Sequence, residues 1–198
     1  MKTITLLFLL FPATLYSQKT SFEGIIWFSS KYEISDSSFS ENQLKEQFGD
    51  RYVCYIRDGN YRQEYLNSKG IEYVQYDSGT NFYYYKLRNT DTLYVINCGH
   101  YSDKIEIEDT DSIVNIAGYD CKIVNTKMIK PNVTVTYYFA NELYLDPSYY
   151  KKHKLGAYNK VMKGFHAVYL KQETEYGPFK TIITAYFKYI IRDHVSID

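Results

Sequence analysis

Apolar and polar positions alternate along most of the chain with a period of two, the spacing of half-buried β-strands. In FEGIIWFSSKYEI the even positions hold Phe22, Gly24, Ile26, Phe28, Ser30, Tyr32 and Ile34, while the odd ones include Glu23, Lys31 and Glu33. That predicts a long first strand with one apolar face. RYVCYIR and YRQEYLN flank Asp58-Gly59-Asn60, and an Asp-Gly pair between alternating segments signals a hairpin. IEYVQYD and NFYYYKL flank a second turn, DSGT. TLYVINC, KIEIED, YDCKIVNTK, VTVTYYF and NELYLD continue the series, and GFHAVYLKQE and TIITAYFKYII flank TEYGP as a last hairpin. About ten strands in sequence order predict a mainly β fold, a single antiparallel sheet strongly curved into an open half-barrel.

Two segments leave this pattern. FSENQLKEQFG has the order of a helix start: Ser40 as N-cap, Gln43 at the third helical position, Phe39 placed to staple onto Leu44, and Gly49 as a stop. In DPSYYKKHK, Asp146 is a good N-cap and Pro147 sits where a first-turn proline is tolerated. This predicts about two helical turns ending near Gly156, with YNKVMKG adding another. Two or three such helices are too few for both faces of the sheet but enough for a concave one. The second would form a lid, with Tyr149 and Tyr150 toward the sheet and Lys151, Lys152 and Lys154 toward water.

Three apolar rows are expected on that concave face: Phe22, Ile26 and Phe28; Val133, Val135, Tyr137 and Phe139; and Ile183, Ala185, Phe187 and Tyr189. Together with Tyr149 and Tyr150, these residues are the candidate lining of a ligand cavity, mostly apolar with tyrosine hydroxyls at its mouth. Composition sharpens the picture. The chain holds 24 tyrosines against one tryptophan and four prolines, and a tyrosine buries its ring while keeping a hydroxyl wet. With 23 basic and 23 acidic residues the chain is near neutral, so nucleic acid is not an expected partner.

The N-terminus carries Lys2, the short apolar run ITLLFLLF and then small residues before Ser17. That order predicts a cleaved signal peptide over residues 1–17 and a single β-rich domain over 18–198, exported to the periplasm or outside. No later stretch has the length and apolarity of a membrane helix, so no integral membrane segment is expected after cleavage.

Candidate chemistry is sparse. An exported chain meets oxidising conditions, so Cys98 and Cys121, at the ends of neighbouring β segments, are the candidate disulfide, with Cys54 left over. Three buried thiols packing as small apolar groups are the alternative. His100, His153, His166 and His194 are scattered, and neither a zinc motif nor a nucleophile elbow nor a phosphate loop is visible. No metal, no cofactor and no catalysis are therefore expected. The acidic run Asp103, Glu106, Glu108, Asp109 and Asp111 suits a solvated edge strand.

FEGIIWFSSKYE, YIRDGNYRQEY, IAGYDCKIV, VTYYFANELYLDP and KGFHAVYLKQE, following a signal peptide that ends in YSQ, together resemble the GLPGLI-type and LolA-like secreted proteins of diderm bacteria. At the position of the family's Gly-Leu-Pro core this chain has Phe165 and His166. The resemblance implies an unclosed β-barrel around a helical plug, with a concave face like that of carriers for lipid-modified proteins. Two readings follow. One is a carrier for a lipid or other apolar small molecule; the other is a structural or interaction module that contacts envelope proteins, its core filled.

Overall fold

The computed structural model describes residues 19–101, 104–129 and 132–191, with side chains through Tyr186. The expected signal peptide, Asp103 and the Phe187 and Tyr189 side chains lie outside the described residues.

Eleven strands form one antiparallel sheet: β1 (Gly24–Ile34), β2 (Arg51–Arg57), β3 (Asn60–Leu66), β4 (Ile71–Asp77), β5 (Phe82–Leu87), β6 (Leu93–Asn97), β7 (Ile105–Ile116), β8 (Tyr119–Met128), β9 (Val133–Tyr144), β10 (Ala167–Glu175) and β11 (Phe179–Ile191). Their order is β6-β5-β4-β3-β2-β1-β11-β10-β9-β8-β7. Two meanders thus meet at the centre, where β1 pairs with β11. The edges, β6 and β7, are consecutive in the chain. Laid flat at ~4.8 Å per strand, the sheet would hold its edges ~48 Å apart. The chain from Asn97 to Ile105 can span at most ~29 Å when fully extended. The connection therefore forces the sheet to curl, and its concave face becomes the core.

Cross-strand pairing sorts the side chains onto that face, because directly opposed residues in antiparallel strands point the same way. Phe28 lies opposite Tyr52, and Tyr52 opposite Tyr65. Ile26 lies opposite Cys54, which faces Gln63 and then Val74. Tyr61 lies opposite both Ile56 and Tyr76, and Tyr76 opposite Tyr83. The tyrosines that crowd the sequence are thereby stacked into rows across the sheet.

The first helix, α1 (Glu41–Phe48), forms as its local sequence predicts. Ser40 accepts from the Gln43 amide, and the Gln43 side chain accepts from the Ser40 amide, a reciprocal capping box. Leu44 is buried, and the Phe39 ring packs on Phe179. Tyr32 ties β1 to the helix end by donating to the Gly49 carbonyl at 2.7 Å.

The second helical segment differs from expectation. Asp146 caps as predicted, but Pro147–Tyr150 is a single 3-10 turn. The Lys154 amide, which a continuing helix would bond to Tyr150, instead donates to the Cys98 carbonyl at 3.1 Å. Gly156 and Ala157 then adopt left-handed φ of 60° and 53°, which no right-handed helix can pass through. The true two-turn helix is α2 (Tyr158–Phe165), directly afterwards, with Val161 and Met162 buried.

Strand β9 also departs from the reading that separated VTVTYYF from NELYLD. It runs unbroken to Tyr144. Register shifts against β10 near Val168 and Tyr169 change which parity is buried, so Phe139 and Ala140 are both inside and Leu143 follows. At the edge, β7 exposes Glu106, Glu108 and Asp109, as the acidic run predicted.

The expected Cys98–Cys121 bridge is absent. Cys54, Cys98 and Cys121 are all buried free thiols. Cys98 follows one edge strand and Cys121 sits on β8 beside the other edge. Both are fully enclosed in the apolar core, so each packs as a small hydrophobe.

Candidate functional site

The concave face encloses a cavity of about 510 Å³. Its floor is built by the sheet rows: Ile26 and Phe28 from β1, Cys54 and Ile56 from β2, Tyr61 and Gln63 from β3. Tyr137 of β9, with Val168, Tyr169 and Gln172 of β10, forms the far wall. The segment between β9 and α2 roofs it with Leu145, Tyr150, His153 and Leu155, joined by Tyr158 at the start of α2. Tyr83 of β5 with Tyr101, Met128 and Gly156 complete the described lining. Tyr101 is 36% exposed, and a Cβ built on Gly156 would meet nothing within 4 Å. Those two residues therefore mark the open side.

The candidates named from sequence separate into two groups. Ile26, Phe28, Tyr137 and Tyr150 line the cavity. Phe22 is buried in the main core cluster, with Ile183 and Tyr149 packed against it. Phe139 belongs to a second cluster with Val161 of α2, and its ring stacks on Phe165 at 5.3 Å. Val135 is buried and accepts a hydrogen bond at its carbonyl from Thr126. Tyr149 is not part of the cavity lining; its ring lies on the β2–β3 turn. A Cβ at Gly59 would come within 2.2 Å of that ring. With Asp58 and Gly59 at φ of 50° and 74°, the Asp-Gly turn is required both by its backbone and by the ring above it. Lys151, Lys152 and Lys154 are exposed, as expected of the lid.

Sequence reasoning did not single out one polar residue of the cavity roof, His153. It is 2% exposed. Its ring centroid stands 4.2 Å from that of Tyr76 and 4.9 Å from that of Tyr158. Nε2 is 3.1 Å from the Tyr61 hydroxyl, while Nδ1 has no partner. Burial lowers the imidazole's pKa to about 4, so the ring is neutral near pH 7. Burial likewise pushes the phenols of Tyr61, Tyr158 and Tyr169 well above their ordinary value, so they remain protonated donors. A second polar group sits on the sheet side, where Gln63 donates to the Tyr169 hydroxyl at 3.3 Å. The only sequence signal for His153 was its place among tyrosines and lysines, which surface histidines share.

Among the described residues, no lysine, arginine, aspartate or glutamate lines the cavity. Among the described residues no group of three His, Cys, Asp or Glu side chains is placed to hold a metal ion. No helix there is long and apolar enough to cross a membrane. The site is therefore built to enclose an uncharged surface, with hydrogen-bonding tyrosine, glutamine and histidine side chains at a few points.

No protein-family model matches the chain, and no curated protein matches it. Among solved structures it is similar to PNGF-II in two crystal forms, with TM-scores of 0.51 and 0.50 at 11% sequence identity. Each match covers 88% of this chain and 29% of PNGF-II, so the chain spans under a third of that protein's length. The Mycobacterium tuberculosis lipoprotein LppX gives a TM-score of 0.37 at 10% identity, over 89% of this chain and 90% of LppX. The likeness to PNGF-II is one of fold alone.

Proposed function

We propose that the protein is an exported binding protein that carries an apolar or amphipathic, lipid-like ligand in this cavity and does no chemistry on it. The observation that supports this is an open volume of about 510 Å³ whose described lining holds no charged side chain. Protein interiors close-pack and hold few voids larger than a water molecule, whereas small-molecule sites run from roughly 300 to 1,000 Å³. The arrangement also fits the helix-plugged open barrel that the resemblance to LolA-like secreted proteins implies. An apolar ligand would gain by leaving water for Ile26, Phe28, Ile56 and Val168, while a charged group would lose its hydration without finding a partner.

Binding of N-phenyl-1-naphthylamine to the purified protein tests the reading. The expected result is one saturable site, a raised Tm, and displacement by aliphatic ligands. Val168→Trp, which fills the cavity from β10, lowers dye affinity at least tenfold while far-UV circular dichroism stays unchanged. A folded wild type that binds no apolar probe overturns the proposal and favours the structural module. Native mass spectrometry of protein purified from its own envelope then identifies the occupant, and N-terminal sequencing of the same sample is expected to begin at Gln18.

A further inference from the structure

His153 is positioned more firmly than a filler of the core needs to be. Its amide donates to the Tyr150 carbonyl at 3.0 Å, and its carbonyl accepts from the Asn159 amide at 2.8 Å. The ring is stacked among Tyr61, Tyr76 and Tyr158, and Nε2 is engaged by the Tyr61 hydroxyl. Every part of the residue is thus fixed except Nδ1, which lies in a 2% exposed side chain without a partner. An unpaired buried polar atom is costly and normally finds a mate. Here the side chain that bears it lines the cavity.

The partner it lacks can be specified chemically. A neutral imidazole has one donor and one acceptor nitrogen, and the hydrogen bond at one sets the other. The Tyr61 hydroxyl lies 3.1 Å from Nε2, and burial keeps it protonated; we take the tautomer in which it donates to a bare Nε2. That leaves the ring proton on Nδ1. We infer that His153 is the polar reader of the cavity, its Nδ1–H donating to an uncharged carbonyl or ether oxygen on an otherwise apolar ligand. This deepens the carrier reading above and rests on it. The tyrosines packed around the ring offer no countercharge, and among the described residues no other that lines the cavity carries one. The ligand class is therefore the neutral, oxygen-bearing one rather than carboxylate, phosphate or amine.

Undecane, undecan-2-one and undecanoate differ only at one end and serve as probes, each titrated at pH 7 against bound N-phenyl-1-naphthylamine. The wild type is expected to bind the ketone. Its ketone-to-alkane affinity ratio falls roughly five- to tenfold in His153→Leu, the worth of one net hydrogen bond. It recovers in His153→Asn, whose side-chain amide offers a donor where Nδ1 stood. Comparing ratios between variants cancels the unequal cost of removing the probes from water. A ratio that is unchanged within twofold in His153→Leu overturns the inference, and so does undecanoate binding tighter than the ketone. If neither alkane nor ketone displaces the dye, the carrier reading itself fails and this one with it; if both displace it equally well in wild type and His153→Leu, only the reader role fails. Should His153→Leu not fold, the wild type decides by NMR. The Nδ1–H resonance moves further downfield with ketone than with alkane, and equal movement overturns the assignment.

Discussion

Replacing Phe28 by alanine tests whether the cavity wall is a packed surface. Phe28 is 2% exposed, its ring stacked on Tyr52 at a centroid distance of 4.7 Å and tilted against Tyr169 at 6.1 Å. Removing a buried phenylalanine ring costs about 3 to 5 kcal/mol, the sum of lost transfer energy and the void left behind. Because Phe28 borders open volume, one side of its ring has fewer partner atoms to lose. The expected loss is therefore at the low end, about 3 kcal/mol. In a domain of this size that lowers Tm by roughly 6 to 12 °C. Urea unfolding should show the midpoint falling with an unchanged m-value, since the exposed surface of the unfolded chain hardly alters. An apolar probe filling the enlarged cavity at a hundred times its Kd should restore about 2.7 kcal/mol. Phe28→Leu should cost less than half as much as the alanine variant. A loss below about 1 kcal/mol for Phe28→Ala would refute the reasoning, because the ring could not then be held in the Tyr52–Tyr169 stack.

Three further outcomes are expected. His153 has a pKa lowered to about 4 by burial, so the unfolded chain binds its proton first as pH drops; stability should fall by about 3 kcal/mol between pH 6.5 and 4, and His153→Asn should remove that part of the urea-midpoint profile. Glu173 receives Lys171 at 2.6 Å, Lys180, and the Tyr138 hydroxyl at 3.0 Å; burial alone would raise its pKa, but these three partners hold it down at about 2. Its contribution is present above the ordinary carboxylate range and lost as pH falls toward 2, and Glu173→Gln should cost about 1 to 2 kcal/mol at pH 7 by thermal unfolding, a partly screened ion network giving less than a buried one. Burial pushes the thiol of Cys54 up to about 12 and those of Cys98 and Cys121 up to about 11; iodoacetamide should therefore label none in the native protein and all three in urea without reductant, and two unlabelled cysteines in urea would restore the disulfide.

What could be read from the chain itself was local. The alternation in β1 and β2, the Asp-Gly turn between β2 and β3, the Ser40–Gln43 capping box and the Asp146 cap all depend on residues within a few positions of one another, so spacing alone specifies them. The inward row of Ile26 and Phe28 followed from the same period of two, and these two residues, with Tyr137 and Tyr150, stand in the cavity lining. What the chain could not reveal depended on distant partners. The pairing of β1 with β11 at the centre of the sheet joins the two ends of the chain, and the link from β6 to β7 decides how far the sheet curls. The Lys154 amide abandons helical pairing because the Cys98 carbonyl, far back in sequence, lies within reach, and that contact moves the helix onward to α2. Parity in β9 shifts because β10 imposes its own register. His153 shows the same limit. In the sequence it stands among surface lysines, and only the stacking of Tyr61 and Tyr76 from neighbouring strands turns it into a buried, half-paired ring, because burial is a property of what closes over a residue rather than of what precedes it.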